Sequence, residues 1–367
     1  MAAPLKDVYS PEFYEQLSTG LETVVDGFDR RRFSESIFTS AFEGMELKQR
    51  MTHTIERIAE WLPADFNEAA GQLEALIDTL RAAGHREQSF EYMFLPEFIE
   101  TRGLDHFERS VEAFEFVTQY TSCEFAVRPF IHRYGQSMLD RMLEWSGHPH
   151  EMVRRLASEG SRPRLPWAMA LPALKQDPAP LLPILDNLKQ DPSDSVRRSV
   201  ANNLNDISKD NPAFVLARVR AWQGLSAETD ALLKHACRTL LKQGDPETLA
   251  LFGYDATGIE ISGFEIDTPT VNFGDALSFR FNVDNRSGAA RILRLEYAVH
   301  HLKKNGSLAP KVFKISEREL PAGAAETIER AHRIKPITTR QYYAGEHRVS
   351  VIVNGQETDS IAFWLEL

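Results

Sequence analysis

The chain has 367 residues, more than one hydrophobic core usually serves, so we expect two domains, one of which can be an extended array. Its 43% hydrophobic, 26% charged and 10% aromatic residues are typical of a folded protein and exclude collagen-like and disordered classes. No run of about 18 apolar residues exists, and the first residues lack the apolar centre of a signal peptide, so a cytoplasmic protein without a membrane partner is predicted. Two cysteines, Cys123 and Cys237, are too few for a disulfide framework.

The net charge of −11 is unevenly distributed. Residues 1–120 hold 11 basic and 23 acidic residues, and so account for the acid excess. The middle of the chain carries arginines in tight groups, which are Arg154-Arg155, Arg162-Pro-Arg164 and Arg197-Arg198. An acidic chain can therefore still present a local surface for nucleic acid.

The first two thirds of the chain have a helical pattern. From Pro11 to Gly253 apolar residues recur three and four positions apart. The clearest segments are Glu12 to Phe28, Glu46 to Trp61, Phe66 to Ala83, Asp105 to Gln119, Glu124 to Trp145 and Thr229 to Lys242. Prolines at 192, 212 and 246 stand where helices are expected to start.

A repeat lies within the helical region. The stretch from His148 to Ala157 recurs 43 residues later as Asp191 to Val200, and a weaker third copy runs from Thr229 to Leu241. A period near 43 in helical sequence predicts an all-α HEAT-like repeat solenoid. The alternative is two chance Pro-x-x-x-Val-Arg-Arg matches in a compact bundle.

From about Ile259 the period of the apolar residues changes to two. Alternating or apolar runs begin at Ile259, Leu277, Leu293, His347 and Ile361, and turn-forming residues separate them. About seven short strands in roughly 110 residues predict an all-β immunoglobulin-like sandwich. The predicted multidomain protein thus has a helical-repeat domain at 1–255 and a sandwich domain at 256–367.

Several kinds of active site are excluded by missing motifs. The sequence lacks the glycine-rich nucleotide loops, the His-Glu-x-x-His and Gly-x-Ser-x-Gly motifs, and the zinc-deaminase pattern. His148 and His150 flank a proline, but the sequence indicates no further metal ligands beside them. We therefore expect neither a metal nor another cofactor.

Carboxylates stand beside arginines on the repeat helices. Arg155 and Glu159 are four residues apart, as are Arg198 and Asn202, and Asn202 and Asp206. Each set therefore lies on one helical face. Equivalent faces of stacked repeats line one groove, and arginines with embedded carboxylates suit a phosphate backbone that carries a cationic group.

Each of these residues also has a plain structural explanation. Glu124 follows Thr121 by three and would complete a capping box. Glu159 would form an ordinary surface ion pair with Arg155, Asp206 would pair with a neighbouring repeat, and Trp167 would lie in the core. The residue pattern alone therefore predicts a helical-repeat groove that could bind nucleic acid, and no more specific function.

Four segments resemble the AlkC family of bacterial DNA alkylation-repair glycosylases. They are Cys123 to Ile131, His148 to Ala168, Val196 to Pro212 and Leu240 to Pro246. Their most specific strings are Glu-Gly-x-Arg-Pro-x-x-Pro-Trp-Ala, from Glu159, and Ala-Asn-Asn-Leu-Asn-Asp, from Ala201. The resemblance covers nearly the whole chain, because one branch of the family carries a C-terminal immunoglobulin-like domain after its HEAT-like repeats.

The resemblance implies a monomeric DNA glycosylase that starts base excision repair on the bacterial nucleoid. Its substrates would be cationic methylated bases in double-stranded DNA, chiefly N3-methyladenine, with N3-methylcytosine and N1-methyladenine as minor ones. The DNA would be bent without full base flipping, unlike the extrusion usual for glycosylases. No lysine nucleophile is implied, so we expect a monofunctional enzyme without lyase activity.

The resemblance also implies roles for individual residues. Glu124, Glu159 and Asp206 would be the catalytic acids, and Trp167 and Asn202 would shape the lesion pocket. The residues expected to bind DNA are Arg154, Arg155, Arg162, Arg164, Arg197, Arg198, Lys303 and Lys304. For the two lysines a solvated hairpin is an equal alternative. The competing function is a non-catalytic HEAT-repeat module that binds structured DNA or a protein, although the presence of all three acids favours the enzyme.

Overall fold

The computed structural model describes residues 4–337 and 340–367, which form two compact units. The helical unit comprises the chain up to Val215 together with Trp222–Ala236. The sheet unit comprises Leu216–Ala221 and Cys237–Leu367. The predicted order, helical repeats followed by a β-sandwich, is confirmed. The domain boundary between residues 255 and 256 stays a prediction.

The described residues contain sixteen α-helices. They are α1 (Pro11–Val24), α2 (Arg30–Ile37), α3 (Leu47–Ala59), α4 (Phe66–Ala82), α5 (Leu95–Arg102), α6 (Phe107–Thr118), α7 (Arg128–Tyr134), α8 (Gln136–Trp145), α9 (Glu151–Glu159), α10 (Pro172–Gln176), α11 (Leu182–Leu188), α12 (Asp194–Ile207), α13 (Pro212–Trp222), α14 (Ala227–Ala236), α15 (Arg238–Lys242) and α16 (Pro246–Leu251). None of these described helices is both long enough and apolar enough to span a bilayer.

Local chemistry accounts for where many helices begin. The Ser10 hydroxyl accepts the Phe13 amide at the start of α1, and the Asp65 carboxylate accepts the Glu68 amide at the start of α4. Pro212 and Pro246 open α13 and α16, as predicted.

Two predicted helices are divided in the structure. The helix expected from Glu124 to Trp145 begins only at Arg128, and Gly135 splits it into α7 and α8. Gly135 has a φ of +52°, a left-handed conformation that glycine adopts at little cost. The helix expected from Thr229 to Lys242 is divided at Cys237 into α14 and α15.

The 43-residue repeat corresponds to helices that lie side by side. Helix α9 packs against α12, and α12 packs against α14. Val153 and Val196 occupy equivalent positions in the first two copies, and both are fully buried between helices. The repeat therefore sets the spacing of the helices that carry the candidate acids.

The described part of the sheet unit contains nine strands. They are β1 (Ile259–Ile266), β2 (Thr270–Asn272), β3 (Ala276–Asn285), β4 (Arg291–Leu302), β5 (Leu308–Leu320), β6 (Ala325–Arg333), β7 (Gly345–Val353), β8 (Gln356–Glu357) and β9 (Ile361–Glu366). One sheet has the order β1-β3-β6, and the other has the order β2-β9-β7-β4-β5, with β8 paired to β7. Phe279 of the first sheet packs on Tyr297 of the second, with 5.2 Å between ring centroids.

Candidate functional site

The three predicted acids come from three separate segments of the helical unit. Glu124 lies in the turn before α7, Glu159 is the last residue of α9, and Asp206 lies in the last turn of α12. Asp206 and Glu159 are 1% and 5% exposed, whereas Glu124 is half-buried. Buried carboxylates need charged or hydrogen-bonding partners, and each of the three has them.

A chain of alternating charges joins the acids. The Arg155 guanidinium donates to Glu124 Oε2 at 2.9 Å and lies 3.8 Å from Glu159 Oε1. Arg162 then connects two acids, because its Nη1 donates to Glu159 Oε1 at 2.6 Å and its Nε donates to Asp206 Oδ2 at 2.9 Å. We call this set the charge chain, and its members are Glu124, Arg155, Glu159, Arg162, Asp206 and Lys209.

Lys209 forms one end of the charge chain. Its ammonium group donates to Asp206 Oδ1 at 2.9 Å, so both oxygens of Asp206 have cationic donors. At the other end, the Ser122 hydroxyl donates to Glu124 Oε2 at 2.8 Å. Neither Ser122 nor Lys209 was predicted, although Lys209 follows Asp206 at a helical spacing of three that could have indicated the pair.

Glu159 has one carboxylate oxygen without a hydrogen-bond donor among the described residues. Its Oε2 is fully buried and accepts no hydrogen bond from the residues that the structure describes, whereas Oε1 accepts from Arg162. A buried carboxylate oxygen without a donor is costly, so such an atom marks a place where a bound group is expected.

The charge on Arg162 is fixed by its neighbours. Burial alone would lower the pKa of its guanidinium, but the adjacent Glu159 and Asp206 carboxylates raise that pKa above its ordinary value. Arg162 is therefore protonated at neutral pH. Arg162 holds Glu159 and Asp206 in fixed positions on either side of it.

Trp167 lies in the irregular segment after α9. It is 64% exposed and has a φ of +65°, which is rare for an aromatic residue. Lys48 donates to its carbonyl oxygen. Together with Phe125 and Met169, Trp167 lines a cavity of about 240 Å³. The alternative that Trp167 is a core residue is therefore wrong.

The same cavity contains two acids that the sequence did not single out. Burial raises the pKa of Glu100 to about 7, and the nearby Glu97 carboxylate adds to the rise. Glu97 also accepts the Thr52 hydroxyl at 2.5 Å. Nothing in the local sequence indicated this pair, because α5 carries no repeat motif.

Asn202 and Arg198 belong to a different part of the surface. Arg198 is exposed and lines a groove of about 320 Å³ between α12 and α14, together with His235. His235 Nε2 lies 3.2 Å from Asn202 Oδ1. The lesion-pocket role predicted for Asn202 and the DNA contact predicted for Arg198 both stay predictions.

Three other arginines predicted to bind DNA already have protein partners. Arg154 binds the Asp191 carboxylate with two donors, at 2.6 and 3.0 Å. Arg197 donates to the Asp191 carbonyl at 2.6 Å, and Arg164 forms a bidentate pair with Asp210 at 2.6 and 2.8 Å. Their DNA contacts stay predictions, and each would have to form beside or in place of these bonds.

Lys303 and Lys304 lie in the sheet unit, in the exposed turn between β4 and β5. The Lys303 amide donates to the Ser307 carbonyl at 2.9 Å and closes this turn. The turn leaves both ammonium groups accessible to solvent. Their predicted contact with DNA stays a prediction.

Two family models match the chain. The model described as "DNA alkylation repair enzyme" matches residues 41–240, and the model described as "Uncharacterised protein YhaZ, C-terminal Ig-like domain" matches residues 260–367. The chain is 40% identical to the "Uncharacterized protein YhaZ" of Bacillus subtilis (strain 168), over 98% of this chain and 99% of that protein.

A solved structure is similar to the chain over its full length. It is the Pseudomonas fluorescens alkylpurine DNA glycosylase AlkC bound to DNA containing an abasic site analog. The TM-score is 0.93 at 35% sequence identity, with 100% of both chains covered.

Proposed function

The chain belongs to the AlkC family of DNA alkylation repair enzymes, and on that premise we propose that it is a DNA glycosylase. The proposed substrates are cationic methylated bases in duplex DNA, chiefly N3-methyladenine, with N3-methylcytosine and N1-methyladenine as minor ones. The DNA is bent and the base is not fully flipped out. The observation that carries the proposal is the buried charge chain, in which Glu159 keeps one unpartnered carboxylate oxygen.

The chemistry of the substrate explains why carboxylates suffice. Methylation leaves the base positively charged, so the C1′–N bond breaks with its electron pair passing to the base, which departs neutral. Positive charge develops on the sugar, and a nearby carboxylate stabilises that charge. Water then adds to C1′ and loses a proton to a carboxylate acting as base. A neutral base is a poorer leaving group, so selectivity for cationic lesions arises partly in the substrate.

The geometry supports a division of roles between the acids. The buried Oε2 of Glu159, which has no donor among the described residues, would accept a hydrogen bond from the attacking water. Both oxygens of Asp206 are held by cations, so its carboxylate is pre-oriented and suits electrostatic stabilisation of the sugar. Glu124 is the most exposed of the three acids, and we assign it contact with the lesion.

The proposed DNA surface uses arginines at different depths. Arg198 and Arg164 are exposed enough to reach phosphates, while Arg155 and Arg162 act from within the charge chain. Trp167, with its exposed ring, is assigned to the lesion pocket. Lys303 and Lys304 would add phosphate contacts from the sheet unit.

The decisive experiment measures release of free N3-methyladenine from methylated duplex DNA. We expect release by the wild type and strong reduction in Asp206→Asn and Glu159→Gln. Glu74→Gln is the matched control, because Glu74 also pairs with an arginine, Arg109 at 2.7 Å, on helices that carry none of the acids. Binding without release by the wild type would refute the glycosylase and favour a non-catalytic module.

A second measurement tests the monofunctional character of the enzyme. We assign no lysine as nucleophile, since the ammonium group of Lys209, the lysine of the charge chain, is ion-paired with Asp206. The expected product is an intact strand with an alkali-labile abasic site. Strand cleavage without alkali, or a borohydride-trapped covalent adduct, would contradict this assignment.

A further inference from the structure

Arg128 is a buried arginine that lies behind the charge chain. It is the first residue of α7, it is fully buried, and it forms no ion pair with the residues that the structure describes. Its donors bind three main-chain carbonyls instead. Nη1 donates to Gly160 at 2.9 Å and to Arg162 at 2.8 Å, and Nε donates to Met169 at 2.6 Å.

The three carbonyls bracket one irregular segment, residues 160–169. This segment follows Glu159 directly and carries Arg162, Arg164 and Trp167. It has no helix or strand of its own to fix its path. The Arg128 guanidinium therefore ties both ends of the segment to the start of α7.

The position of Arg128 is costly to maintain. Burial, with repulsion from the Arg162 guanidinium, lowers the pKa of Arg128 to about 10. Its Nη2 is buried and has no hydrogen-bond partner among the described residues. The nearby Asp206, Glu124 and Glu159 carboxylates offset part of the cost of this buried charge, and natural proteins tolerate the remainder chiefly at functional sites.

We propose that Arg128 is a positioning residue for base excision, acting through the carbonyls of Gly160, Arg162 and Met169. By fixing segment 160–169 it keeps Arg162 between Glu159 and Asp206. The inference rests on the proposed function for its catalytic consequence. A misplacement of about 1 Å at a reacting centre can lower a rate about 100-fold, so loss of this restraint should lower the rate of glycosidic-bond cleavage.

The backbone of Trp167 indicates that the segment is held under strain. A left-handed aromatic residue persists only where its surroundings hold it, and here Lys48 binds Trp167 from one side while Arg128 binds Met169 two residues later. Releasing the Arg128 bonds would let Trp167 relax. The segment would then become accessible to proteases at the Arg164–Leu165 bond.

The test compares Arg128→Gln and Arg128→Lys with Arg50→Gln in the full chain. Arg50 is a matched control, because it is buried in the same unit and donates to a main-chain carbonyl, that of Lys6 at 2.9 Å, without contacting segment 160–169. The readouts are the single-turnover excision rate per folded molecule at saturating enzyme, and native-state trypsin cleavage after Arg164.

We expect Arg128→Gln to lower the excision rate about 100-fold and to expose the Arg164–Leu165 bond. Arg128→Lys should recover part of the rate, since an ammonium group can reach one or two of the carbonyls. Arg50→Gln should lower the unfolding temperature without changing either readout. If Arg128→Gln behaves like Arg50→Gln, the residue is merely structural and the inference is overturned.

The same experiment distinguishes a wrong proposed function from a wrong role for Arg128. A wild type that releases no base refutes the glycosylase, whatever Arg128 does. Trypsin cleavage then decides the positioning claim alone, because unchanged protection of Arg164–Leu165 in Arg128→Gln would overturn it. If Arg128→Gln does not fold, Arg128→Lys supplies both readouts.

Discussion

Replacing Arg162 by methionine tests whether the charge chain is held together electrostatically. Methionine keeps the apolar length of the side chain but removes the donors to Glu159 and Asp206. Both carboxylates are nearly inaccessible to water, so neither can be rehydrated without local opening. The variant therefore leaves Glu159 without a hydrogen-bond donor and Asp206 with Lys209 as its remaining cationic partner.

The expected loss of stability is large. Removing one partner of a buried ion pair costs about 3–5 kcal/mol, which is a substantial part of the stability of a typical protein. Arg164→Met is the matched control, two residues away. Its pair with Asp210 is considerably exposed, with 37% and 26% of the two side chains accessible, and such pairs contribute about 0–1 kcal/mol.

The assay is urea unfolding followed by tryptophan fluorescence. Four of the five tryptophans, Trp61, Trp145, Trp167 and Trp222, lie in the helical unit, so the signal reports mainly on that unit. A triple variant, Arg162→Met with Glu159→Gln and Asp206→Asn, removes the stranded charge and should recover much of the loss. If Arg162→Met costs no more than Arg164→Met, or if the triple variant is no more stable than the single one, the electrostatic explanation is wrong.

Three further predictions test other parts of the structure. Burial lowers the pKa of His301 to about 3 and that of His332 to about 4, against 6.5 for the free side chain. Both histidines remain neutral in the folded protein while the unfolded chain binds protons, so the stability of the sheet unit should fall as pH drops from about 6.5 to 4. In chemical unfolding, His332→Gln should reduce this dependence of stability on pH, and an unchanged dependence would contradict the prediction. Gly160→Ala should destabilise by about 1–3 kcal/mol, because its Cβ would lie 2.6 Å from a Val127 methyl, whereas Gly71→Ala has open space and should be neutral or stabilising in thermal unfolding. Arg198→Ala should reduce the salt dependence of DNA affinity by about one phosphate contact, and an unchanged slope would remove Arg198 from the interface.

The repeat and the strand pattern were predictable because their periods are local. Helices α9 and α12 begin where the 43-residue period indicated, and five of the predicted strand runs lie within observed strands. Strands β5 and β6 were not predicted individually, because charged residues interrupt their apolar alternation. The apolar spacing continues through Gly135, so only the glycine itself, a residue common at helix ends, indicated the break between α7 and α8.

The charge chain itself was only partly predictable. The helical spacing of Arg155 and Glu159 indicated one link, and resemblance suggested all three acids. The link through Arg162 depends on an irregular segment after α9, where no periodicity relates side-chain direction to sequence. The three carbonyl bonds of Arg128 span 32 to 41 residues, and no local pattern indicates such contacts.

The repeated Arg-Arg pair shows how one motif can serve two purposes. The first arginine of each pair binds the turn before its own helix, since Arg154 donates to the His148 and Pro149 carbonyls and Arg197 to those of Asp191 and Pro192. The offsets of six and five residues are the same in both copies. The second arginine is not tied to this turn, because Arg155 joins the charge chain and Arg198 lines the groove between α12 and α14. A DNA surface that uses these second arginines, as we propose, would take its spacing from the fold, because the arginine that organises each repeat directly precedes them.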